Sequence, residues 1–146
     1  MRRVQWYALP LATEPRCTMA DEAELKITLV SEDARGEIYS ISLPGDRELM
    51  LLHSKAGTLR GGHSHDVPET VMVLAGRLEY HKLRPDFEEV IELTDGAVSG
   101  NLAGQPHLGY FPEDSWILEW KTCRDKHSWK NTNYAPWREM VDANAL

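Results

Sequence analysis

Two histidines and a glutamate lie close together in a glycine-rich stretch of the sequence. His63 and His65 are separated by one residue, and Glu69 follows four residues later. Alternate side chains of a β-strand point to the same face, so the two imidazoles face the same way. A turn at residues 66–68 can bring the Glu69 carboxylate back beside them. Two imidazole nitrogens and one carboxylate oxygen are a ligand set that suits a borderline divalent metal.

The spacing of these residues resembles the first motif of the cupin superfamily, G-x5-H-x-H-x3-E-x6-G. Gly57 and Gly76 fill the two glycine positions around the histidines and the glutamate, without a gap or an insertion. The composition of the chain makes this match by chance a rare event. We therefore identify the chain as resembling a small, single-domain, metal-binding cupin.

A later segment resembles the second cupin motif, G-x5-P-x-G-x2-H-x3-N. Gly96, Gly104 and His107 match it, whereas Leu102 replaces the proline and Phe111 replaces the asparagine. These differences fall on residues that shape turns and strands. The resemblance thus implies that His107 is a fourth metal ligand.

The resemblance implies an all-β fold, the cupin double-stranded β-helix or jelly-roll barrel. It also implies one divalent metal ion per chain, which could be Fe, Mn, Ni or Zn, bound by His63, His65, Glu69 and His107. Such a ligand set leaves open positions on a five- or six-coordinate ion, where water, dioxygen or a substrate oxygen can bind. A closed, four-coordinate zinc with the same ligands would instead be structural.

The pattern of the rest of the chain also predicts a mostly β domain. Runs rich in β-branched and aromatic residues, separated by turn residues, lie at 37–43, 47–53, 69–74, 77–83, 88–93, 107–111 and 115–121. Pro136 begins a short helix in which Trp137, Met140 and Val141 share one face. We predict a single domain over 1–146, with an N-terminal arm at 1–34, a barrel core at about 35–122 and a C-terminal helix at about 135–145.

Composition excludes several classes of partner. The net charge of −7 repels phosphate backbones and anionic membrane surfaces, so we expect no nucleic acid or membrane partner. No run of apolar residues is long enough to cross a bilayer. Two cysteines are too few for a disulfide framework, which favours a cytoplasmic setting.

Three further residues are candidates for catalysis. Arg60, Tyr110 and Glu119 are of types that can hold a substrate or move a proton, although structural roles explain each of them as well. Glu119 lies among apolar residues, so an inward-facing carboxylate there would need a partner or a raised pKa. The sequence does not settle which way it faces.

These observations leave two main hypotheses for function. The first is a metalloenzyme acting on a small-molecule substrate, and we favour an oxidoreductase such as a dioxygenase over an isomerase or a lyase. The segment that follows His107 is loosely similar to the corresponding region of diketone-cleaving cupin dioxygenases. The second is a non-catalytic cupin that senses a metal or a ligand. A metal-free, epimerase-like cupin is disfavoured, because such barrels do not need the full ligand set.

The sequence also predicts a homodimer. Met72 and Leu74 alternate with Glu69, Val71 and Val73, so they face away from the metal side and yet are apolar. An apolar outer face of a barrel needs cover from a helix or from a second subunit.

Overall fold

Antiparallel strands make up most of the fold. The computed structural model describes residues 25–122 and 130–145. Within these ranges the strands are β1 (Lys26–Asp33), β2 (Gly36–Leu43), β3 (Arg47–Ser54), β4 (Thr58–His65), β5 (Glu69–Ala75), β6 (Arg77–Leu83), β7 (Glu88–Thr94), β8 (Val98–Asn101), β9 (His107–Phe111), β10 (Ser115–Lys121) and β11 (Asn131–Asn133), and the helix is α1 (Ala135–Asn144).

The strands form two sheets. The six-stranded sheet has the order β1-β2-β3-β10-β5-β8, and the five-stranded sheet has the order β11-β4-β9-β6-β7. From β3 onward the chain passes repeatedly from one sheet to the other, so strands distant in sequence become neighbours. This is the topology of a jelly-roll barrel, and it confirms the predicted fold class.

The core lies between the two sheets. Val71 and Val73 on β5 and Ile117 on β10 are at most 2% exposed and pack against Leu78 and Phe111 of the other sheet. Their neighbours along each strand face outward, as the alternation of side chains requires. Phe111, at the position where the second cupin motif has asparagine, therefore belongs to the core.

Helix α1 packs on the outside of the five-stranded sheet. Trp137 and Val141 are buried against Leu108 of β9, with Leu59 of β4 beside them. Pro136 lies in the first turn, where its missing N–H leaves no hydrogen bond unmade. The helix is short, and no helix in the described ranges is long and apolar enough to cross a membrane.

Residues 26–33 of the predicted N-terminal arm form β1. This strand pairs antiparallel with β2, with Ile27 opposite Ile41 and Leu29 opposite Tyr39. β1 lies at the edge of its sheet and is exposed along nearly its whole length. β1 buries neither of its faces within the chain, so its pairing depends on backbone hydrogen bonds with β2. Residues 1–24 lie outside the described ranges.

Candidate metal centre and its cavity

A bulge in the middle of β4 decides which of its side chains face the inside of the barrel. The register with β9 skips one residue of β4 between Gly61 and His63, and His63 then lies opposite His107. Gly61 and Gly62 have φ values of 92° and 74°, in the left-handed region that glycine adopts without strain. The extra residue reverses the alternation, so Arg60 before the bulge and His63 after it line the same cavity.

Three histidines converge at one point inside the barrel. The ring centroid of His63 is 4.7 Å from that of His65 and 5.1 Å from that of His107, and the last two are 5.2 Å apart. One ring nitrogen from each histidine lies within 4.8 Å of the others, a separation that a single metal ion can bridge. The structure therefore brings His63, His65 and His107 together as the sequence predicts.

Hydrogen bonds to Nδ1 orient two of these rings. The Nδ1 atom of His107 lies 3.1 Å from the carbonyl oxygen of Gln105, and Nδ1 of His65 contacts the side-chain oxygen of Asn131. A carbonyl oxygen only accepts, so each Nδ1 carries the proton and donates it. In a neutral ring the lone pair is then on Nε2, as is usual for metal-bound histidines oriented by an outer hydrogen bond.

Glu69 lies against those same two Nε2 atoms. One carboxylate oxygen, Oε2, is 2.9 Å from Nε2 of His65, and the other, Oε1, is 3.2 Å from Nε2 of His107. Oε2 is also 2.9 Å from Nζ of Lys121. The side chain is almost fully buried. Burial alone would raise the pKa of Glu69, but its hydrogen bonds with His107 and His65 and the Lys121 charge outweigh burial and hold the pKa well below its usual range.

These contacts make the donor set suitable for a cation. Because each Nδ1 already holds a proton, the hydrogen bonds of Glu69 with these Nε2 atoms require a second proton on each ring when no metal is bound. A neutral His65 or His107 would instead point a lone pair at the ionised carboxylate. Two acceptors at such a distance repel unless a proton or a metal ion lies between them. Burial, and then the charges of His107 and His65, lower the pKa of His63 to about 3, so this third ring is neutral and can bind a metal at neutral pH. The residues present thus fit a divalent metal.

A small cavity extends from the histidines into the barrel. It has a volume of about 180 Å³ and reaches from His63 and His107 to Arg60. Its polar lining includes two guanidinium groups besides that of Arg60, from Arg35 and Arg138. The remaining wall is formed by side chains of the core and by backbone at two glycines.

Glu119 faces this cavity, which answers the question that the sequence leaves open. It lies opposite Val71 of β5 and Met50 of β3, on the inner side of β10. Burial, followed by the negative charge of Glu69, raises the pKa of Glu119 to about 7. Glu119 also lines a second, larger cavity of about 620 Å³ near Met72.

Tyr110 does not belong to the cavity, in contrast to the other two catalytic candidates. It is paired with Leu59 and Glu79, on the side of the five-stranded sheet that faces away from the barrel interior. β9 places its inward positions at His107 and Phe111, and Tyr110 has the opposite parity. A different tyrosine, Tyr80 of β6, lines the cavity instead.

Three residues near the ligands are not identified by the sequence motifs. Lys121 and Asn101 approach Glu69, and Asn131 contacts His65. Asn101 also donates from its side-chain nitrogen to the hydroxyl of Tyr80. Parity along β10 could have placed Lys121 on the same face as Glu119, whereas Asn131 depends on the pairing of β11 with β4.

Comparison with solved structures shows likeness in fold. No family profile matches the chain, and no curated protein sequence does. CapF, the capsular polysaccharide assembling protein of Staphylococcus aureus, superposes with a TM-score of 0.60 at 19% identity, over 77% of this chain and 32% of that one. Hazelnut (Corylus avellana) vicilin gives 0.61 at 15% identity, over 73% and 34%. A variant of oxalate decarboxylase from Bacillus subtilis gives 0.53 at 13% identity, over 67% and 27%.

The chain spans between 27% and 34% of the length of each of these three proteins. At such low identity the likeness concerns the barrel and not the chemistry. The two-sheet topology and the structural neighbours show that the chain has the jelly-roll barrel fold that the histidine motif predicts.

Proposed function

We propose that the protein is a metal-dependent cupin enzyme that acts on a small molecule. One divalent ion per chain would be held by His63, His65, Glu69 and His107. The observation that carries this proposal is the buried Glu69 carboxylate, whose oxygens face Nε2 of His65 and of His107 although each Nδ1 is already a donor. A cation between these groups removes the repulsion.

The residues around the cavity support chemistry rather than a purely structural role. A bound divalent ion would supply Lewis acidity or, as iron, a position for dioxygen. With a pKa of about 7, Glu119 can give or take a proton near neutral pH. Burial raises the pKa of Tyr80 well above its usual range, so its hydroxyl stays protonated.

Within this proposal we favour an oxidoreductase, such as a dioxygenase, over an isomerase or a lyase. The basis is the similarity of the segment after His107 to diketone-cleaving cupin dioxygenases. Among the structural neighbours, oxalate decarboxylase shows that an enzyme can use this fold. The cytoplasmic setting is a prediction that rests on the low cysteine count.

A non-catalytic binding module is the second candidate, and one contact favours it. The ammonium group of Lys121 lies 2.9 Å from Glu69 and neutralises part of its charge. A metal must compete with this ion pair for the carboxylate. Such competition would suit a sensor that binds its metal reversibly more than an enzyme that keeps it.

Metal content is the first test. We expect wild-type protein loaded with Co(II) under anaerobic conditions to hold one ion per chain by elemental analysis after desalting. His65→Ala should lose at least about tenfold in affinity, because it removes one ligand and the contact with Glu69. His81→Ala is the matched control, since His81 pairs with Glu79 and Glu88 away from the cavity. Full stoichiometry and unchanged affinity in His65→Ala would refute the site.

An exchangeable coordination position separates the two candidates. We expect the visible spectrum of the Co(II) protein to change when a small bidentate oxygen ligand, such as acetylacetone, is titrated into it. A spectrum that stays unchanged at every pH at which the protein is folded would mean a closed site. The enzyme proposal would then be abandoned in favour of the binding module.

A further inference from the structure

Arg60 carries a buried charge that the described part of the chain does not neutralise. Its side chain faces the cavity, and the residue is only 7% exposed. No carboxylate of residues 25–122 or 130–145 lies within ion-pair distance of it. Burial, and then the positive charge of Arg35, lower the pKa of Arg60 and outweigh the more distant charges of Asp33, Glu119 and Glu37, which raise it. Buried guanidinium groups are normally paired, so this one calls for an anion.

The other two guanidinium groups at the cavity differ from Arg60 in this respect. Arg35 forms an ion pair with Asp33 at 2.6 Å, and Arg138 pairs with Asp142. The partner of Arg138 lies one helical turn later in the sequence, and the partner of Arg35 lies two residues earlier, at the end of β1. Of the three arginines that line the cavity, Arg60 is the one that forms no ion pair with the described residues.

The guanidinium group of Arg60 is held in a fixed orientation. Nε donates to the hydroxyl of Ser54 at 2.7 Å, and Nη2 donates to the carbonyl oxygen of His53 at 2.9 Å. These bonds use one edge of the planar group. They leave both hydrogens of Nη1 and the second hydrogen of Nη2, for which the described residues offer no acceptor. Two adjacent donors in one plane match the two oxygens of a carboxylate.

We propose that Arg60 binds the carboxylate of a small acid whose opposite end carries an oxygen donor facing His63 and His107. The proposal rests on the proposed function, because the metal site defines that opposite end. It also names the substrate class, namely a small molecule with a carboxylate and a second oxygen group. The volume of about 180 Å³ limits the ligand to a few carbon atoms between the two ends.

A carboxylate fits better than a phosphate for two reasons. The cavity offers one unneutralised guanidinium, whereas a phosphate monoester carries close to two negative charges. Glu119 also lines the cavity, and its raised pKa keeps it largely protonated below pH 7, where it can stand beside a single negative charge.

The test compares succinate with butyrate in the Co(II)-loaded protein. Both can present one carboxylate to the metal, but only succinate has a second carboxylate for Arg60. We expect calorimetry to show succinate binding about tenfold or more tighter than butyrate in wild-type protein. Arg60→Gln should remove this preference while leaving the Co(II) spectrum unchanged. Arg77→Gln, which changes an exposed guanidinium outside the cavity, should keep the preference.

A second measurement does not need the variant to fold. In metal-free, ¹⁵N-labelled wild-type protein, succinate should shift the Nε–H resonance of Arg60 more than those of Arg77 and Arg84, and inorganic phosphate should shift it less than succinate. Equal binding of succinate and butyrate, with no selective shift of the Arg60 resonance, would overturn the proposal, and Arg60 would then have only the structural role of binding Ser54 and His53 of β3. If the wild-type protein does not bind Co(II) but succinate still shifts the Arg60 resonance selectively, the metal site is refuted and the anion site is retained.

Discussion

Glu119 lies on the inner side of β10, where its surroundings disfavour the ionised form of its carboxyl group. Its pKa is raised from 4.5 to about 7, first by burial and second by the neighbouring charge of Glu69. Below about pH 4.5 the carboxyl group is protonated in both the folded and the unfolded chain. As the pH rises toward 7, the unfolded chain releases this proton while the folded chain keeps it, so stability is lost over that window.

Glu119→Gln should remove this pH dependence. In metal-free protein, the free energy of unfolding of the variant relative to wild type should increase between pH 4.5 and 7, by up to about 3 kcal/mol. Urea denaturation at several pH values measures the difference. Glu92→Gln removes an exposed carboxylate on β7 and serves as the control. A Glu119→Gln profile that parallels wild type across this range would contradict the burial of a protonated carboxyl group.

At the scale of the element, the bulge in β4 connects the cavity with the metal site. A β-carbon at Gly61 would lie 2.8 Å from the carbonyl oxygen of His107, which is closer than such contacts allow. The backbone of β4 could avoid that contact only by moving away from β9. Such a movement would separate His63 from His107, because the two are paired directly beyond the bulge.

Gly61→Ala should therefore affect both stability and metal binding. Gly45 is the matched control, because its φ of 80° is also left-handed but nothing lies within 4 Å of a β-carbon there. Gly45→Ala should cost roughly 1 kcal/mol from backbone strain, and Gly61→Ala should cost more because the clash adds to the strain. Co(II) affinity should fall only in Gly61→Ala. An unchanged Co(II) affinity in a folded Gly61→Ala protein would show that the bulge does not position the histidines.

The sequence alone predicts the strands in which apolar and polar residues alternate, and it predicts the residues of the two motifs. It does not predict the strands whose position depends on pairing with a strand distant in sequence. Strands β5, β9 and β10 agree closely with their predicted ranges. β5 and β10 alternate between buried and more exposed positions along most of their length, whereas β9 is mostly buried on both faces and is bounded by turn residues. β1, β8 and β11 are short or lie at edges, so few buried side chains mark them. Parity along the chain likewise could not orient Glu119, because its direction depends on the register of β10 with two neighbours.

The residues of the candidate site likewise divide into those that local spacing predicts and those that strand pairing positions. His63, His65, Glu69 and His107 follow from spacing, because their motif is local to two segments. Lys121 and Asn131 reach the same point only through the pairing of β10 with β5 and of β11 with β4. Such contacts are set by three-dimensional register, which a single sequence does not encode as a spacing.

For the whole molecule, the two sheets differ in how their outer faces are covered. Helix α1 buries Trp137 and Val141 against the five-stranded sheet. The six-stranded sheet has no helix against its outer face among the described residues. Apolar side chains with outward parity run across it, and they are Ile27, Leu29, Tyr39, Ile41, Leu49, Leu51, Met72, Leu74, Val98, Trp116, Leu118 and Trp120.

We predict that a second copy of the chain covers this outer face. Leu74 is 41% exposed and Trp116 is 37% exposed, and a continuous apolar surface of this kind is unusual on a monomer. Sedimentation velocity at micromolar concentration should show a dimer. Leu74→Glu should convert it to a monomer with little loss of stability, because a charge buried at the interface lacks a partner there while in the single chain it faces water. Met140→Glu, at an exposed apolar position on α1, should remain dimeric. If wild-type protein sediments as a monomer at tens of micromolar, the face has another role and the dimer is wrong.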